Sequence, residues 1–547
     1  MEPTGARSLR PYAGRWVALV QGHIAGVGAT AEAAQIAAQL SRPKEKPQTV
    51  FVPEHPLLEL PPLVAEIHQA LPAGARVWLV GGAVRDALSG RQVHDLDFAV
   101  DGDGLAAARA VADSLDGAFY ALDPERGVGR AIVTRDDARF TLDFARLRGA
   151  DLAADLAGRD FTINAMAVAM AEPDKLIDPL GGEADLWAKV IRACSPRAIA
   201  DDPVRGIRAI RLAAQLGFRL DRDTRAAVRA QAGALESASA ERCRDEFIRC
   251  LGGRRPGAAL RALAWVGLLD QLVPEIGALK GVSQPPPHVF DVWEHSLATV
   301  KRLAEILGVL DPIHNVDAAS DLTLGLLSVR LGRHRQSLAA HLNTLVSGDR
   351  PVRWLLMLAA LMHDVGKPAT RTLEADGRIR FFDHDQVGAE MTARRLARLH
   401  FSSDEVSRAR TVVAHHLRPL QLAEETQVTR RAIYRFFRDT GEAGVDVSLL
   451  TLADALATYG DRPPPQDDWA RLLGVCADLL EAHFERSEER VRPPALVTGH
   501  DLMAEFGLEA GPRLGRLLEA VREAQAAGEI SDRAAALDYV RRHLADE

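Results

Sequence analysis

Cysteine is scarce in this chain: 547 residues hold four, Cys194, Cys243, Cys250 and Cys476, far apart except for one helical pair and with no CxxC. That excludes a disulfide framework and a cysteine-built zinc module, and it suits a reducing compartment. Long apolar runs are missing too, as is a basic start leading into a hydrophobic stretch. Neither a membrane span nor a secretory leader is expected, and the reading is a cytoplasmic protein with no membrane partner. Bulk positive charge is also lacking. The net charge is −8 and the pI is near 6.1, which argues against a protein that coats nucleic acid and leaves room for one local basic surface.

The length exceeds what one hydrophobic core supports, so several domains are expected. Residues 1–55 read as a small α/β module: RWVALVQ and IAGVG as strands, AEAAQIAAQL as a helix capped by Thr30, TVFVPE as a third strand. Gly28 and its neighbouring glycines form no phosphate loop, so a structural or docking role is the reading there. Residues 60–195 alternate strand-like runs (VWLV, DLDFAV, RAIVT, FTLDFAR) with helical segments, an α/β texture. From 196 onward helical periodicity dominates, divided into 196–280, 285–465 and 470–547. The Pro-rich SQPPPHVF (283–290) and DRPPPQDD (461–468) mark junctions, and VRPPALVTG (491–499) opens the last helical segment.

The first chemistry lies in VWLVGGAVRDALSGRQVHDLDFAV (77–100). An apolar strand enters Gly81-Gly82, a short helix follows, and a second strand carries Asp95 and Asp97. Strand residues two apart share a face, so the two carboxylates converge while Leu96 and Phe98 turn to the core. Such a pair can hold Mg²⁺ ions, and a Gly-Gly turn before a helix lets backbone N–H groups approach phosphate. Asp143, in TLDFAR, is a candidate third ligand from a neighbouring strand. Read separately, each motif is commonly only a strand edge or a turn; their order raises the functional reading.

GRDFTINAMAV (158–168), DPLGGEADL (178–186) and ADDPVRGIRAIRLAAQLGF (200–218) follow in order. With GGAVRD and DLDFAV they closely resemble the class II tRNA nucleotidyltransferase and bacterial poly(A) polymerase family over roughly residues 60–275. The resemblance implies an α/β, polymerase-β-like nucleotidyltransferase head followed by an all-α body. It also implies that Gly81, Gly82, Arg85 and Asp86 form a phosphate-binding turn and that Asp95 and Asp97 are the catalytic metal ligands. Arg159, Asp160 and Asn164 would meet ribose and triphosphate, with Gly158 standing where the family has a first arginine. Asp202 and Arg205 would select the base, and Arg208 and Arg211 continue that face. Three-residue spacing makes Asp202 and Arg205 helix neighbours, and a carboxylate with a guanidinium can read a base edge. Asp202 also precedes Pro203, the pattern of a helix cap. The family's flexible loop before RRDFTINA is nearly absent from FARLRGADLAADLAGRDF, a shortening that resembles members adding only the two cytidines.

The helical body carries a second set: His295, His363-Asp364, His384, His415-His416 and Asp454. Ligands of this kind on separate helices can converge on a divalent transition metal with open positions. The ordered set resembles the HD phosphohydrolase superfamily over residues 285–460, an HD-domain helical bundle. That implies metal binding through His295, His363, Asp364 and Asp454, with His384 and His415 at a second metal or the phosphate. Gly366 and Lys367 are expected to end the HD helix. In SAERCRDEFIRCLGG (238–253), Arg242 and Arg249 are placed to meet tRNA phosphates or to form a solvated face. In the tail, Leu502, Met503, Leu514 and Leu517 are expected to pack a core.

The leading reading is an enzyme that adds CCA, or only CC, to the 3′ end of tRNA from CTP and ATP, with Mg²⁺ in the head and a transition metal in the HD domain. In that domain the resemblance implies an added phosphohydrolase activity suited to end repair. A poly(A) polymerase using ATP is the alternative within the same fold. A metal phosphohydrolase with an RNA-binding head is the alternative of another class, and intact Asp95, Asp97 and Gly81-Gly82 speak against it.

Overall fold

The strands VWLV and DLDFAV pair side by side, and the head is built around them. The computed structural model describes Tyr12 and residues 14–20, 23–43, 45–52, 58, 60–313, 321–425 and 427–545. The chain divides into two units, Met1–Ala198 and Ile199–Glu547.

In the first unit, β1 (Arg15–Val20), β2 (His23–Gly28) and β3 (Gln48–Val52) form an antiparallel sheet in the order β2-β1-β3. Helix α1 (Ala31–Ser41) starts where expected, with the Thr30 side chain accepting the Ala33 N–H at 3.2 Å. Ala34 and Ala38 bury against Ala18, so small side chains let the helix lie close to the sheet. Pro53 and Glu54, the end of the expected third strand, lie outside the described residues, as does Gln21.

The head comprises α2 (Leu63–Ala70), β4 (Arg76–Val80), α3 (Gly82–Leu88), β5 (Asp95–Asp101), α4 (Gly104–Ser114), β6 (Ala118–Asp123), β7 (Val128–Arg135), β8 (Ala138–Arg146), α5 (Leu152–Ala157), β9 (Ala167–Ala169), β10 (Glu172–Ile177) and α6 (Gly182–Ala188). Its seven strands run β10-β9-β4-β5-β8-β7-β6. β5 and β8 are parallel, and β5 also pairs antiparallel with β4. Phe98 and Phe144 stack 4.6 Å apart on the core side of β5 and β8. A one-residue slip would turn both outward and forfeit roughly 1.5–3 kcal/mol for each. The same register makes Asp97 the partner of Asp143. On the opposite face, Leu156 of α5 packs over Val80 and Ala99. Asp95, Asp97 and Ala99 share that face; Ala99 is buried while the two aspartates remain exposed.

The second unit is almost all helix. Its first part holds α7 (Val204–Leu216), α8 (Ala240–Leu251) and α9 (Pro256–Trp265). A bundle follows: α10 (Val292–Val309), α11 (Val352–Met362), α12 (His384–Arg398), α13 (Ser403–His415), α14 (Arg430–Thr440), α15 (Ala443–Thr458) and α16 (Gln466–Phe484). Residues 443–453 of α15 are all buried, as befits a helix apolar on every side. The tail forms α17 (Gly499–Phe506), α18 (Pro512–Ala527) and α19 (Arg533–Ala545), with Leu502, Leu514 and Leu517 in a shared core and Met503 packed against it.

Three expectations need correction. Helix α11 ends at Met362, one turn before Gly366, so His363 and Asp364 lie in the turn after it. Short strand pairs also occur in the helical body, Leu345–Ser347 with Arg350–Pro351 and Arg371–Leu373 with Ile379–Phe381. The second closes over Asp376-Gly377, a hairpin signal passed over in the helical reading. The Pro-rich stretch 283–290 is no bare junction: Gln284 accepts from Lys367 Nζ at 2.6 Å, and the rings of His288 and His295 lie 5.0 Å apart. Among the described residues no helix is long and apolar enough to cross a membrane.

Candidate active site and metal centre

In the head, the sheet register sets three carboxylates on one surface. Asp95 and Asp97 stand two apart on β5, and Asp143 is the partner of Asp97 on β8. Enclosure by neighbouring atoms, then the charges of Asp143 and Asp95, push the Asp97 carboxyl up to about 6, against the pull of Arg159 and Arg130. Asp97 keeps solvent-accessible surface, so the shift speaks to its readiness to accept a cation. A divalent ion is what such a cluster needs, and the oxygen donors suit Mg²⁺. These residues fit the metal.

Arg130, overlooked in the sequence, grips Asp143 through two parallel bonds, Nε to Oδ1 at 2.7 Å and Nη2 to Oδ2 at 2.8 Å. The two are register partners across β7 and β8, a pairing legible only once the strands are aligned. Arg130→Met is expected to move the acidic limb of the pH–rate profile to higher pH, because loss of a nearby positive charge raises the pKa of Asp97. An unmoved limb would show that Arg130 does not act on this cluster.

Gly81 sits at φ +79°, in the left-handed region that glycine tolerates, and starts α3. A side-chain carbon there would meet Arg159 Nη1 at 3.3 Å and Asp97 Oδ2 at 3.4 Å, so the turn, the arginine and the carboxylate share one place. Asp155, also overlooked, is buried; it accepts the Arg148 N–H at 3.0 Å and Arg159 Nε at 3.0 Å. Arg85 stays at this turn, its Nη2 3.3 Å from where a side-chain carbon on Gly82 would lie, and makes two bonds to Asp86 at 3.0 and 2.7 Å and one to Asn164 Oδ1 at 2.6 Å. Asn164 Nδ2 in turn donates to Asp160 Oδ1 at 3.1 Å, which also accepts the Phe161 N–H at 2.7 Å. Arg85 and Asp86 therefore order the 159–164 segment.

In the second unit, Asp202 Oδ1 accepts the Val204 N–H at 3.3 Å at the start of α7, where Pro203 holds the cap position. Its Oδ2 lies 3.8 Å from Arg205 Nε and 2.5 Å from Arg242 Nη2. Arg208 and Arg211 of α7 clamp buried Glu246 of α8 at 2.8 and 2.7 Å, and they keep its carboxyl below the ordinary range although burial opposes this. These arginines join two helices and do not form a purely solvated face.

The HD set converges. His295, His363 and Asp364; His363, His416 and Asp454; and Asp364, His384 and His416 each offer ligand atoms within 4.8 Å of one another. His363, His384 and His416 share one local device: Nδ1 bonds to the carbonyl three residues back, on Ala360, Phe381 and Val413, at 2.9, 2.8 and 2.7 Å. That fixes the tautomer and turns an Nε2 lone pair inward. His416 Nε2 and His295 Nδ1 are buried without a hydrogen-bond partner, a cost that a cation at the centre would remove; Nε2 of His363 and of His384 face the Asp364 carboxylate at 3.2 and 3.4 Å. The residues fit a transition metal. Without a cation, His363 carries a proton in the place a metal would take. Burial opposes ionisation of Asp364 and Asp454, yet that charge and bonds from His363 and His295 hold both well below the ordinary carboxylate range. Lys367 Nζ, 2.7 Å from Asp364 Oδ2, was read only as a helix end.

His415 is not brought into this cluster. Successive helix residues point about 100° apart, and at the end of α13 it is the fully buried His416 that faces Asp364 and Asp454. His415 stays half-buried; burial and the charge of Arg418 push the pKa of its imidazole down. Beside the cluster lies a cavity of about 370 Å³ whose walls include Gln284, His288, Phe381, Tyr459, Trp469 and Leu472.

Comparison with known proteins places the chain. Residues 77–192 match the poly A polymerase head domain and 292–459 the HD domain. Residues 217–279 match a probable RNA and SrmB binding site of polymerase A, and 491–540 match a putative tRNA nucleotidyltransferase domain 2. A nucleotidyltransferase head on a helical body with an HD domain is thus the class, and both domains are metal-dependent. The A-adding tRNA nucleotidyltransferase of Deinococcus radiodurans is 36% identical over 86% of this chain and 96% of its own length. The CC-adding tRNA nucleotidyltransferase of Thermus thermophilus is 34% identical over 82% and 90%. The chain belongs to the tRNA nucleotidyltransferase family. The fold agrees with that of a CCA-adding enzyme solved with CTP, at a TM-score of 0.55 and 20% identity over 89% of this chain and 96% of that one.

Proposed function

We propose that this chain adds cytidines from CTP to the 3′ end of tRNA and stops after the second. The observation that carries the reading is the head carboxylate cluster, where Asp95, Asp97 and Asp143 meet Gly81 and Arg159. Asp95 and Asp97 would hold Mg²⁺, which supplies activation of the 3′-hydroxyl and neutralisation of the triphosphate. Arg159, held by Asp155, lies beside Gly81 to meet phosphate oxygens as a charged donor. The N–H groups of Gly81 and Gly82 at the start of α3 favour the same anion. The chain Arg85–Asn164–Asp160 holds the segment assigned to ribose. Asp202 and Arg205 read the base edge, with Arg242 sharing the Asp202 carboxylate and limiting how it can turn.

The stop after CC rests on the link from β8 to Arg159. Only residues 147–158 lie between them; α5 occupies half, Asp151 caps it, and Asp155 ties both ends together. So short and pinned a connection supports one fixed base pocket, whereas a switch from cytosine to adenine calls for a reorganising segment. The Deinococcus relative favours a second reading, addition of the terminal adenosine alone.

The test offers tRNA transcripts ending at the discriminator base, at C and at CC to CTP, ATP or both. Growth by two cytidines with no adenosine is the expected result. Addition of A to the CC-ended transcript alone would transfer the chain to the second reading, and full CCA would overturn the pinned-link argument. At the HD centre, the inward lone pairs and Lys367 favour phosphate-ester hydrolysis with a transition metal.

A further inference from the structure

Gly181-Gly182, in DPLGGEADL, repeats the pattern of Gly81-Gly82, a glycine pair ahead of a short helix, yet it is no second phosphate turn. Asp178 fills the place. Its Oδ1 accepts the Gly182 N–H at 2.7 Å and its Oδ2 the Glu183 N–H at 2.9 Å, so the donors an anion would need at the start of α6 are taken. The missing side chain of Gly182 serves a neighbour instead. A carbon added there would fall 2.1 Å from the Thr162 carbonyl oxygen. That oxygen accepts the Ala165 N–H at 2.9 Å, the bond that closes the turn Thr162–Asn164.

The other polar groups of Thr162 are fixed from the same side. Its hydroxyl donates to Asp185 Oδ2 of α6 at 2.7 Å, with both residues buried. Its N–H donates to the Arg192 carbonyl at 2.9 Å. Arg192 Nε in turn donates to Asp185 Oδ2 at 3.0 Å, so one carboxylate ties the turn to the segment that follows α6. A hydroxyl bonded to an ionised acceptor is among the stronger directional contacts a turn can have. Next to it, the Asp160 carbonyl accepts the Cys194 N–H at 3.1 Å. Asp160 and Asn164, the residues assigned to ribose, thus flank a threonine held through its side chain, its N–H and its carbonyl.

We propose that Asp185 is a positioning residue for ribose selection: through Thr162 it sets the turn from which Asp160 and Asn164 meet the sugar, and Gly182 leaves the room for it. The inference rests on the assignment of residues 159–164 to ribose and triphosphate given above. A site rejects a nucleotide lacking the 2′-hydroxyl only while its own polar groups are held in place for that bond.

The experiment uses the full chain and measures kcat and KM for CTP and for dCTP on a tRNA transcript ending at the discriminator base, beside melting temperature. The ratio of the two kcat/KM values in one preparation does not depend on the folded fraction, so lost stability alone leaves it unmoved. Thr162→Val removes the hydroxyl and leaves Asp185 its bond from Arg192. It is expected to lower the preference for CTP about tenfold, through poorer use of CTP with dCTP little changed. Asp185→Asn should shift the ratio in the same direction, Thr162→Ser should restore it, and Asn164→Ala should lower it at least as far. A wild-type ratio in Thr162→Val beside a lost one in Asn164→Ala would overturn the positioning role and leave the ribose assignment standing. Equal losses for both nucleotides with a lower melting temperature would also overturn it and make Thr162 and Asp185 scaffold alone. A ratio untouched by Asn164→Ala would remove the ribose assignment and the proposal with it.

Discussion

Asp97→Asn is expected to reduce nucleotide incorporation by roughly a thousandfold or more, the scale of losing a metal-held transition-state charge, while the protein stays folded. The two effects separate because of the charge cluster. Asp97 is crowded by enclosing atoms and by Asp143 and Asp95, and its pKa rises to about 6 from an ordinary 3.8. A carboxyl raised on folding favours the native state while it is protonated and loses that advantage as pH climbs through the folded value. Asparagine keeps the shape and carries no charge. Without divalent ions, the variant should therefore melt higher than wild type above about pH 6, and the gap should close as pH falls toward 4. Added Mg²⁺ should raise the melting point of wild type and leave that of Asp97→Asn nearly unchanged. Incorporation at wild-type rate by the variant would remove Asp97 from the catalytic machinery, whatever the melting curves show.

The carboxylates of this site were legible because strand chemistry is local. Period-two alternation in DLDFAVD by itself puts Asp95 and Asp97 outside and Leu96 and Phe98 inside, as in the structure. Arg130 was not legible, since its contact with Asp143 depends on a register between strands that no single segment encodes. Asp155 was hidden for another reason: inside LAADLA it reads as a solvated helix position, and only the packing of α5 over Ala99 buries it between Arg148 and Arg159. Arg208 and Arg211 illustrate the same gap in the helical body. Their spacing gives a shared face, while their partner, Glu246, lies on another helix. The Pro-rich 283–290 looked like a boundary by composition, yet Gln284 and His288 make it part of the HD cavity.

The His415-His416 pair supplies the sharpest discrimination between sequence and fold. Both are chemically suited to a metal, and order along the chain does not choose between them. The end of α13 does. Val413 offers its carbonyl to His416 Nδ1 at 2.7 Å, Thr451 Oγ1 donates to the His416 carbonyl at 2.6 Å, and Nε2 is left inside the buried cluster without a partner. His416→Gln is accordingly expected to lower transition-metal affinity by about a hundredfold or more, since even residues that only orient metal ligands are worth 10–100-fold. His415→Gln should bind as wild type does. The check is metal content by mass spectrometry after loading with Mn²⁺, Co²⁺ or Ni²⁺ and dialysis, with melting temperature before and after loading. Wild type and His415→Gln should each retain metal and melt higher when loaded, because an ion that binds only the native state stabilises it; His416→Gln should do neither. Retention by His416→Gln together with loss in His415→Gln would mean that the tautomer pattern of His363, His384 and His416 serves the bundle and not a metal.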